Sequence, residues 1–378
     1  MRFKAKLAPE QIVALQSIIA HIARLTGSSP KVSSSTDAMI RNQSYSSSSS
    51  SQNYSALSLG GGGSAVHAPV IYLDPEHVRI AVRSGRGDAE GIACFAELLS
   101  EKIFLEHRIE SAAGDQIVFE IDLHMFKTAL QSVLELYSSR MQNSNHGSVA
   151  LHNSSSAASN EHACGALSVV VMKLAKRSGL PCLCLEARQN GGYGQMDQNH
   201  ALPIKVMRSS EMQFHLPPQI SMPDVQLEFP PDGRVPIKVI LERLKNLKAQ
   251  LYVDGSMASG ELVFRVEGEG SSIRTFYNKL IPRWEDCKAT PPNSSPTNIS
   301  QTNSIHNGRC TVKVDSKKLY SCFQWQSSSG MTRHVKSAVL CMAENEMVVM
   351  HVLLNPEDLG FFTYYCPVHF LSGDAMDD

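Results

Sequence analysis

The sequence lacks the features that mark membrane and secreted proteins. Its longest apolar runs, such as residues 348–354, are far shorter than the roughly 18 to 20 residues that span a bilayer. No apolar leader follows Met1, and the nine cysteines form an odd number without a Cys-x-x-Cys pair. A secreted disulfide framework is therefore not expected. We expect an intracellular protein that keeps its thiols reduced and has no membrane segment.

A strong excess of charge of either sign is also missing. The 378 residues carry 35 Lys and Arg against 36 Asp and Glu, a formal net charge of −1. This balance excludes a histone-like protein that binds nucleic acid along its whole surface, so any such contact must come from a local basic patch. The length and the 42% content of hydrophobic residues are sufficient for two ordinary domains, each with its own core.

No segment carries a strong catalytic or metal-binding fingerprint. Residues 191–194 are rich in glycine but do not open a helix, so they do not predict a phosphate-binding loop. Cys182 and Cys184 share one face of a predicted strand, whereas zinc sites usually need two well-spaced ligand pairs. We therefore predict no catalytic residue, no metal and no cofactor. An intracellular cysteine enzyme on a duplicated α+β scaffold is the alternative, with Cys184 as the nucleophile to test and a base such as His200 or His369.

What the chain does contain is a short strand followed by an amphipathic helix, four times over. Residues 2–7 alternate apolar and basic side chains before Pro9 begins the first helix, and residues 225–229 precede the third. In the second and fourth copies the helix follows Asp122 and Asp315, whose carboxylates are good N-caps for first-turn amides. About 190 residues separate these two aspartates, which predicts a duplicated domain that is itself internally duplicated.

Between these units the pattern is that of short strands. Several are joined by turns such as Asp254-Gly255 and Glu344-Asn345, which are typical of antiparallel meanders. We predict an α+β protein with two sheets, each backed by two helices. The strands predicted outside the four units are residues 70–73, 78–82, 91–99, 167–174, 181–186, 251–254, 261–266, 335–342, 347–353 and 360–367.

Tracts rich in Ser, Gly and Asn interrupt this pattern, because their composition cannot bury enough apolar surface to become ordered. Pro217, Pro218 and Pro223 indicate an extended connector between the halves. The predicted organisation is an N-terminal domain over residues 1–208 with disordered inserts near 28–68, 138–165 and 189–199, a connector over 209–222, and a C-terminal domain over 223–378 with a disordered insert near 288–309.

The helix predicted over residues 234–248 has a basic face. At about 100° per residue its cations fall in one sector opposite Ile240, Leu244 and Leu247, and Glu242 is the acid within that sector. The cations are Arg234, Lys238, Lys245 and Lys248 on this helix, with His21 and Arg24, then Lys127, then Lys317 and Lys318 on the polar faces of the other three. Together they predict one surface that binds phosphates.

Several local stretches resemble the Hus-type subunit of the checkpoint clamp, a DNA sliding clamp. The similar stretches are residues 1–7 (MRFKAKL), 200–206 (HALPIKV), 222–225 (MPDV), 238–246, 254–261 and 361–367 (FFTYYCP). The resemblance rests on the order and coverage of these stretches. They lie in both halves and skip the tracts rich in Ser, Gly and Asn.

The resemblance implies a two-domain clamp fold like that of proliferating cell nuclear antigen (PCNA), with helices facing the hole and antiparallel sheets outside. It implies a nuclear, non-catalytic subunit of the nine-one-one clamp, a ring completed by two Rad-type subunits. A clamp loader would place this ring on double-stranded DNA without sequence specificity. The ring would then recruit repair enzymes and checkpoint kinase machinery.

Under this resemblance the basic helices would touch phosphates without reading bases, which allows sliding. The implied DNA-facing residues are Arg24, Lys127, Arg234, Lys238, Lys245, Lys248, Lys317 and Lys318. The connector would form a partner-docking surface with Met212, Phe214, Leu216 and Ile220. A homotrimeric replication clamp is the alternative on the same fold, and it would form a ring from this chain alone.

Overall fold

The computed structural model describes most of both halves of the chain. The described residues are 1–26, 68–83, 91–112, 114–144, 169–188, 197–208, 211, 215–229, 237–268, 270–283, 308–327, 331–355 and 359–370. Arg234, Met212 and Phe214, and the greater part of each predicted insert, therefore lie outside the described residues. No helix within the described ranges is both long and apolar enough to cross a membrane.

The first half contains both predicted strand–helix units, and further strands follow each of them. Its elements are β1 Arg2–Leu7, α1 Pro9–Ala23, β2 Val70–Leu73, β3 His77–Arg83, β4 Ala93–Leu99, α2 Ser100–Ile103, β5 Glu106–Glu110, β6 Ile117–Ile121, α3 Leu123–Ser144, β7 Val170–Arg177, β8 Leu180–Arg188 and β9 Asp197–Val206.

The second half repeats this succession with shorter helices. Its elements are β10 Val225–Phe229, α4 Ile237–Leu247, β11 Gln250–Ser256, β12 Glu261–Gly268, β13 Ser271–Tyr277, β14 Ile281–Pro282, β15 Arg309–Asp315, α5 Ser316–Cys322, β16 Val335–Ala343, β17 Met347–Leu354 and β18 Gly360–His369. The prediction of antiparallel strands with two principal helices per half is confirmed, and α2 adds one short turn to the first half. The predicted division into two sheets is wrong, because β4 of the first half and β18 of the second half pair with each other.

Strand pairing in the two halves follows one scheme, and every pair is antiparallel. The pairs β1–β5, β1–β7, β2–β3, β2–β6, β3–β4, β6–β9, β7–β8 and β8–β9 correspond to β10–β14, β10–β16, β11–β12, β11–β15, β12–β13, β15–β18, β16–β17 and β17–β18. One further pair, β4–β18, has no counterpart and joins the halves. The predicted internal duplication is thus present in the topology.

The helix starts follow from the local sequence. Pro9 occupies the first turn of α1, where its missing N–H costs nothing. Asp122 Oδ1 accepts from the amides of His124 and Met125 at 2.8 and 3.2 Å, and Asp315 Oδ1 accepts from those of Lys317 and Lys318 at 2.9 and 3.0 Å. The two predicted N-caps therefore act in the same way at equivalent places.

The boundaries of the predicted inserts differ from the structure at their ends. Helix α3 continues to Ser144, beyond the predicted start of an insert at residue 138. Strand β9 begins at Asp197, inside the insert predicted to end at residue 199, and β15 begins at Arg309. Strands β5, β9, β13 and β14 were not predicted. Neither β5 nor β13 has the clean alternation of a half-buried strand.

His21 is the largest departure from the predicted polar faces. It was expected on the solvent side of α1, but it is completely buried and its Nε2 is hydrogen-bonded to the hydroxyl of Tyr364 in β18. Burial lowers the pKa of His21 to about 3, with a smaller contribution from the charge of Arg24. The side chain is therefore uncharged and forms a hydrogen bond between the two halves, rather than carrying a positive charge at the surface.

This burial predicts a stability that depends on pH. Because the pKa of His21 is below its ordinary value of 6.5, the folded state binds fewer protons than the unfolded state between pH 6.5 and about 3. The free energy of unfolding should fall by roughly 1.4 kcal/mol for each pH unit below 6.5. Urea unfolding at pH 7 and pH 5 checks this result. The variant His21→Gln can still bond Tyr364 but does not titrate, so its pH dependence should be shallower, and identical slopes would contradict the prediction.

Candidate nucleic-acid interface and assembly edges

Helix α4 packs against α5, but it is rotated relative to the predicted orientation. The buried residues of α4 are Ile237, Leu241 and Leu244, whereas Leu247 is 59% exposed instead of lying in the core. Leu241 falls within the sector predicted to be basic, so the buried face lies closer to the lysines than the sequence indicated. The lysines of this sector therefore flank the contact with α5.

Two of the predicted phosphate contacts meet at one aromatic ring on α5. The Nζ atom of Lys245 lies 3.5 Å from the centre of the Tyr320 ring, and that of Lys238 lies 5.5 Å from it. Both distances suit a cation–π interaction. Glu242 Oε1 accepts from the Tyr320 hydroxyl at 3.4 Å and lies 3.8 Å from Lys245 Nζ. The two lysines are thus half-buried and held in place by their neighbours.

Two of the other predicted cations on α4 and α5 are more exposed than Lys238 and Lys245. Lys317 and Lys248 are exposed, Lys318 is half-buried, and Lys248 Nζ donates to the backbone carbonyl of Glu267. Arg243 of α4 is also exposed, although the sequence did not predict it as a site residue. Arg243 lies outside the sector of α4 that the sequence predicts to be basic. Its exposure would have been expected only if Leu241, rather than Leu247, had been assigned to the buried face. The structure therefore assembles a basic surface on α4 and α5.

The corresponding surface of the first half carries less positive charge. Arg24 is exposed at the end of α1 and Lys127 is half-buried on α3. The remaining exposed side chains on the described parts of these two helices are neutral or acidic: Glu10, Val13, Met125, Thr128, Gln131 and Glu135. Among the described side chains of the four helices, the positive charge is thus concentrated on α4 and α5.

The connector crosses from one half to the other above β3 and the β16–β17 turn. Arg83 Nη2 donates to the carbonyl of Leu216 at 2.6 Å, and the Arg83 guanidinium lies 5.8 Å from the centre of the Phe95 ring. Further along, the amide and hydroxyl of Ser221 donate to the Glu346 carboxylate at 3.1 and 2.6 Å. These hydrogen bonds lower the pKa of Glu346.

The apolar side chains of the described connector remain accessible. Leu216 is 55% exposed and Ile220 is half-buried, so both present apolar surface above the sheet. Arg83, which binds Leu216, also lies against Phe95, whose ring meets that of Tyr365 edge to face with centres 5.5 Å apart across the β4–β18 pair. The connector thus lies over the strands that join the two halves.

Two strand edges are left open by the duplicated topology. In the described residues, β13 pairs only with β12, and the first half of β9 pairs only with β8. Their equivalents in the repeat, β4 and β18, pair with each other within the chain. On β13, Ile273 and Phe276 are 46% and 56% exposed beside the exposed polar residues Ser271, Ser272 and Arg274, whereas the open half of β9 exposes Asn199 and Ala201. The edge of β13 therefore presents large apolar side chains that the open half of β9 lacks.

The described cysteines do not form a nucleophilic site. All of them are buried, and burial raises the pKa of Cys310 to about 12 and that of Cys94 as well. Cys184 lies opposite Ala201, and His200 lies opposite Leu185, so the thiol and the imidazole project from opposite faces of the sheet. Within the described residues, no group of His, Cys, Asp and Glu is arranged to hold a metal ion.

Comparison with known proteins agrees with this architecture. The model of the family described as Hus1-like protein matches residues 66–369. The checkpoint protein hus1 homolog of Dictyostelium discoideum is 24% identical over 300 residues, which cover 79% of this chain and 89% of that protein. PCNA from Entamoeba histolytica superposes with a TM-score of 0.53 at 8% identity, over 97% of this chain and 99% of that one, which shows the clamp fold. PCNA from Thermococcus kodakaraensis gives a TM-score of 0.49 at 12% identity, over 97% of this chain and 100% of that one. Since the family model spans most of its length, the chain belongs to the Hus1-like protein family.

Proposed function

We propose that this chain is a non-catalytic subunit of a heterotrimeric checkpoint sliding clamp that encircles double-stranded DNA in the nucleus. The observation that carries the proposal is the unmatched pair β4–β18. In a protein built from two equivalent halves, this pair leaves the equivalent edges β9 and β13 open. An open edge presents unpaired amides and carbonyls, and neighbouring subunits that pair with both edges would close a ring.

The chemistry of the two edges favours different neighbours. The exposed apolar side chains of β13 fit a partner strand that buries them, whereas the polar side chains of β9 need hydrogen-bonding partners. A homotrimer would bury the apolar side chains of β13 against β9 of a second copy at every interface. Membership of the Hus1-like family also favours the checkpoint clamp over the replication clamp. Two Rad-type subunits are the proposed neighbours.

The connector supplies the proposed docking surface for other proteins. Leu216 and Ile220 are accessible, and hydrogen bonds from Arg83 to Leu216 and from Ser221 to Glu346 fix the described connector at two points. A fixed backbone with exposed apolar side chains loses little conformational entropy when a partner binds. A clamp loader, repair enzymes and the checkpoint kinase machinery are the proposed partners, and Met212 and Phe214 would extend this surface.

The oligomeric state of the purified chain tests the proposal. We expect the chain to be monomeric or prone to aggregation when it is alone, and to enter a 1:1:1 complex when it is produced together with both Rad-type subunits. Size-exclusion chromatography with light scattering distinguishes these states. A stable homotrimer of three 41.4 kDa chains would overturn the proposal in favour of a replication clamp.

A further inference from the structure

We propose that this subunit contacts DNA phosphates through its second half alone, on a surface of α4 and α5 that Tyr320 organises. The inference rests on the proposed clamp function and adds to it which part of the inner surface holds the duplex. It follows from the unequal charges of two helix pairs that are otherwise equivalent in the duplicated fold.

The charge difference between the two pairs is large. Helices α4 and α5, with the residues at their ends, carry Lys238, Arg243, Lys245, Lys248, Lys317 and Lys318 against the two acids Glu242 and Asp315. The described side chains of α1 and α3, counted in the same way, carry Arg24 and Lys127 against Glu10, Asp122 and Glu135. The first set has a clear excess of positive charge and the second does not. Because phosphate binding is driven by the release of counterions from DNA, only the first set should contribute strongly.

The Tyr320 ring holds several positively charged side chains close to one another. Lys238 and Lys245 approach its ring from α4, and Lys317 precedes it by three residues, on the same face of α5. The negative face of the ring attracts the ammonium groups and offsets part of their mutual repulsion. Tyr320 is therefore a positioning residue that concentrates charge at the boundary between the two helices.

The α1–α3 surface offers no equivalent arrangement among its described side chains. Its centre is formed by Met125, Thr128 and Gln131, which carry no charge, and Glu135 repels phosphates. A duplex within the ring should therefore lie closer to α4 and α5 than to α1 and α3. The first half would enclose the DNA without binding it.

Two charge-reversal variants with the same change in charge test the inference. In the assembled heterotrimer, Lys245→Glu with Lys317→Glu alters the second half, and Arg24→Glu with Lys127→Glu is the matched variant of the first half. Binding to a fluorescent 30-base-pair duplex is measured from about 50 to 200 mM salt, the range over which such contacts respond strongly. We expect the first variant to reduce the slope of log affinity against log salt by about two, and the second to leave it unchanged.

The outcomes separate this inference from the clamp function. Equal losses of slope in both variants would overturn the one-sided contact but leave the clamp intact. If the ring assembles and neither variant changes the slope, the α4–α5 surface does not bind DNA. Failure of the unaltered chain to assemble with its partners would instead count against the proposed function.

Conservative and disruptive changes at Tyr320 test its role. Tyr320→Phe keeps the ring and should retain the affinity and the salt slope, whereas Tyr320→Leu removes the ring and should weaken DNA binding by roughly fivefold at the same salt concentration. Melting temperatures of both variants show whether the α4–α5 contact persists. If Tyr320→Leu binds DNA as tightly as the unaltered chain, Tyr320 does not position the lysines.

Discussion

Replacing Gly360 with alanine is expected to destabilise the chain by roughly 3 kcal/mol or more, because two costs combine at one position. Gly360 begins β18 with φ +138°, a backbone conformation that other residues rarely adopt. A Cβ atom there would lie 2.0 Å from the carbonyl oxygen of Glu97 and 2.8 Å from the Cα atom of Leu98. Both contacts are with the backbone of β4, so no side chain can move away to relieve them.

A second glycine provides the control for this prediction. Gly179, in the turn between β7 and β8, also has positive φ, at +83°, but a Cβ atom there would have no neighbour within 4 Å. Gly179→Ala should therefore cost only the backbone strain, about 1 kcal/mol. Denaturant unfolding of both variants measures the difference. If both lose the same stability, the close approach of the β4 backbone to Gly360 adds no cost, and the prediction is wrong.

The duplicated fold was predictable because its signals are local. Asp122 and Asp315 each end a strand and begin a helix, and the hydrogen bonds needed for this lie within three residues. Alternating burial along β3 and β12 follows the alternation of their side chains in the same way. Such patterns can be detected without any knowledge of tertiary contacts.

The contacts between the halves had no local signal. The pair β4–β18 joins Leu98 to Gly360, and His21 reaches Tyr364 across 343 residues of sequence. In a helix pattern, a histidine is assigned to the polar face, and only the packing of β18 against α1 makes it a buried group. Strand β13 was missed for a related reason, since an edge strand exposed on both faces has no alternation to detect.

The sequence was sufficient to identify the lysines of the candidate site, but not the direction in which α4 presents them. Lys238 and Lys245 of α4 do meet at the Tyr320 ring, and Lys317 lies one helical turn before that ring on α5. The rotation of α4 depended on whether Leu241 or Leu247 enters the core. Both are leucines at helical spacing, so only the packing of α5 and the sheet decides between them.

The other large effect concerns assembly through the open edge of β13. We expect the double substitution Ile273→Asp with Phe276→Asp to weaken binding of the neighbouring subunit by roughly 1,000-fold, because each aspartate would replace a buried apolar contact worth about 2 kcal/mol. The two side chains lie three positions apart, so they project from opposite faces of the strand and disturb both sides of the interface. Folding should change little, since both positions are exposed in the chain by itself.

The double variant should lose one neighbour and keep the other. Because β9 lies in the opposite half and is unaltered, the double variant should still form a 1:1 complex with the companion subunit that pairs with β9, but no longer with the other companion. Leu180→Asp, at a position 55% exposed at the start of β8, is the control that adds charge away from both open edges and should leave both pairwise complexes intact. Light scattering of each variant, mixed with one companion subunit at a time, gives the stoichiometry of each pair. Binding of both companions by the double variant would mean that subunits do not join through β13, whereas loss of both would mean that the two edges are not independent.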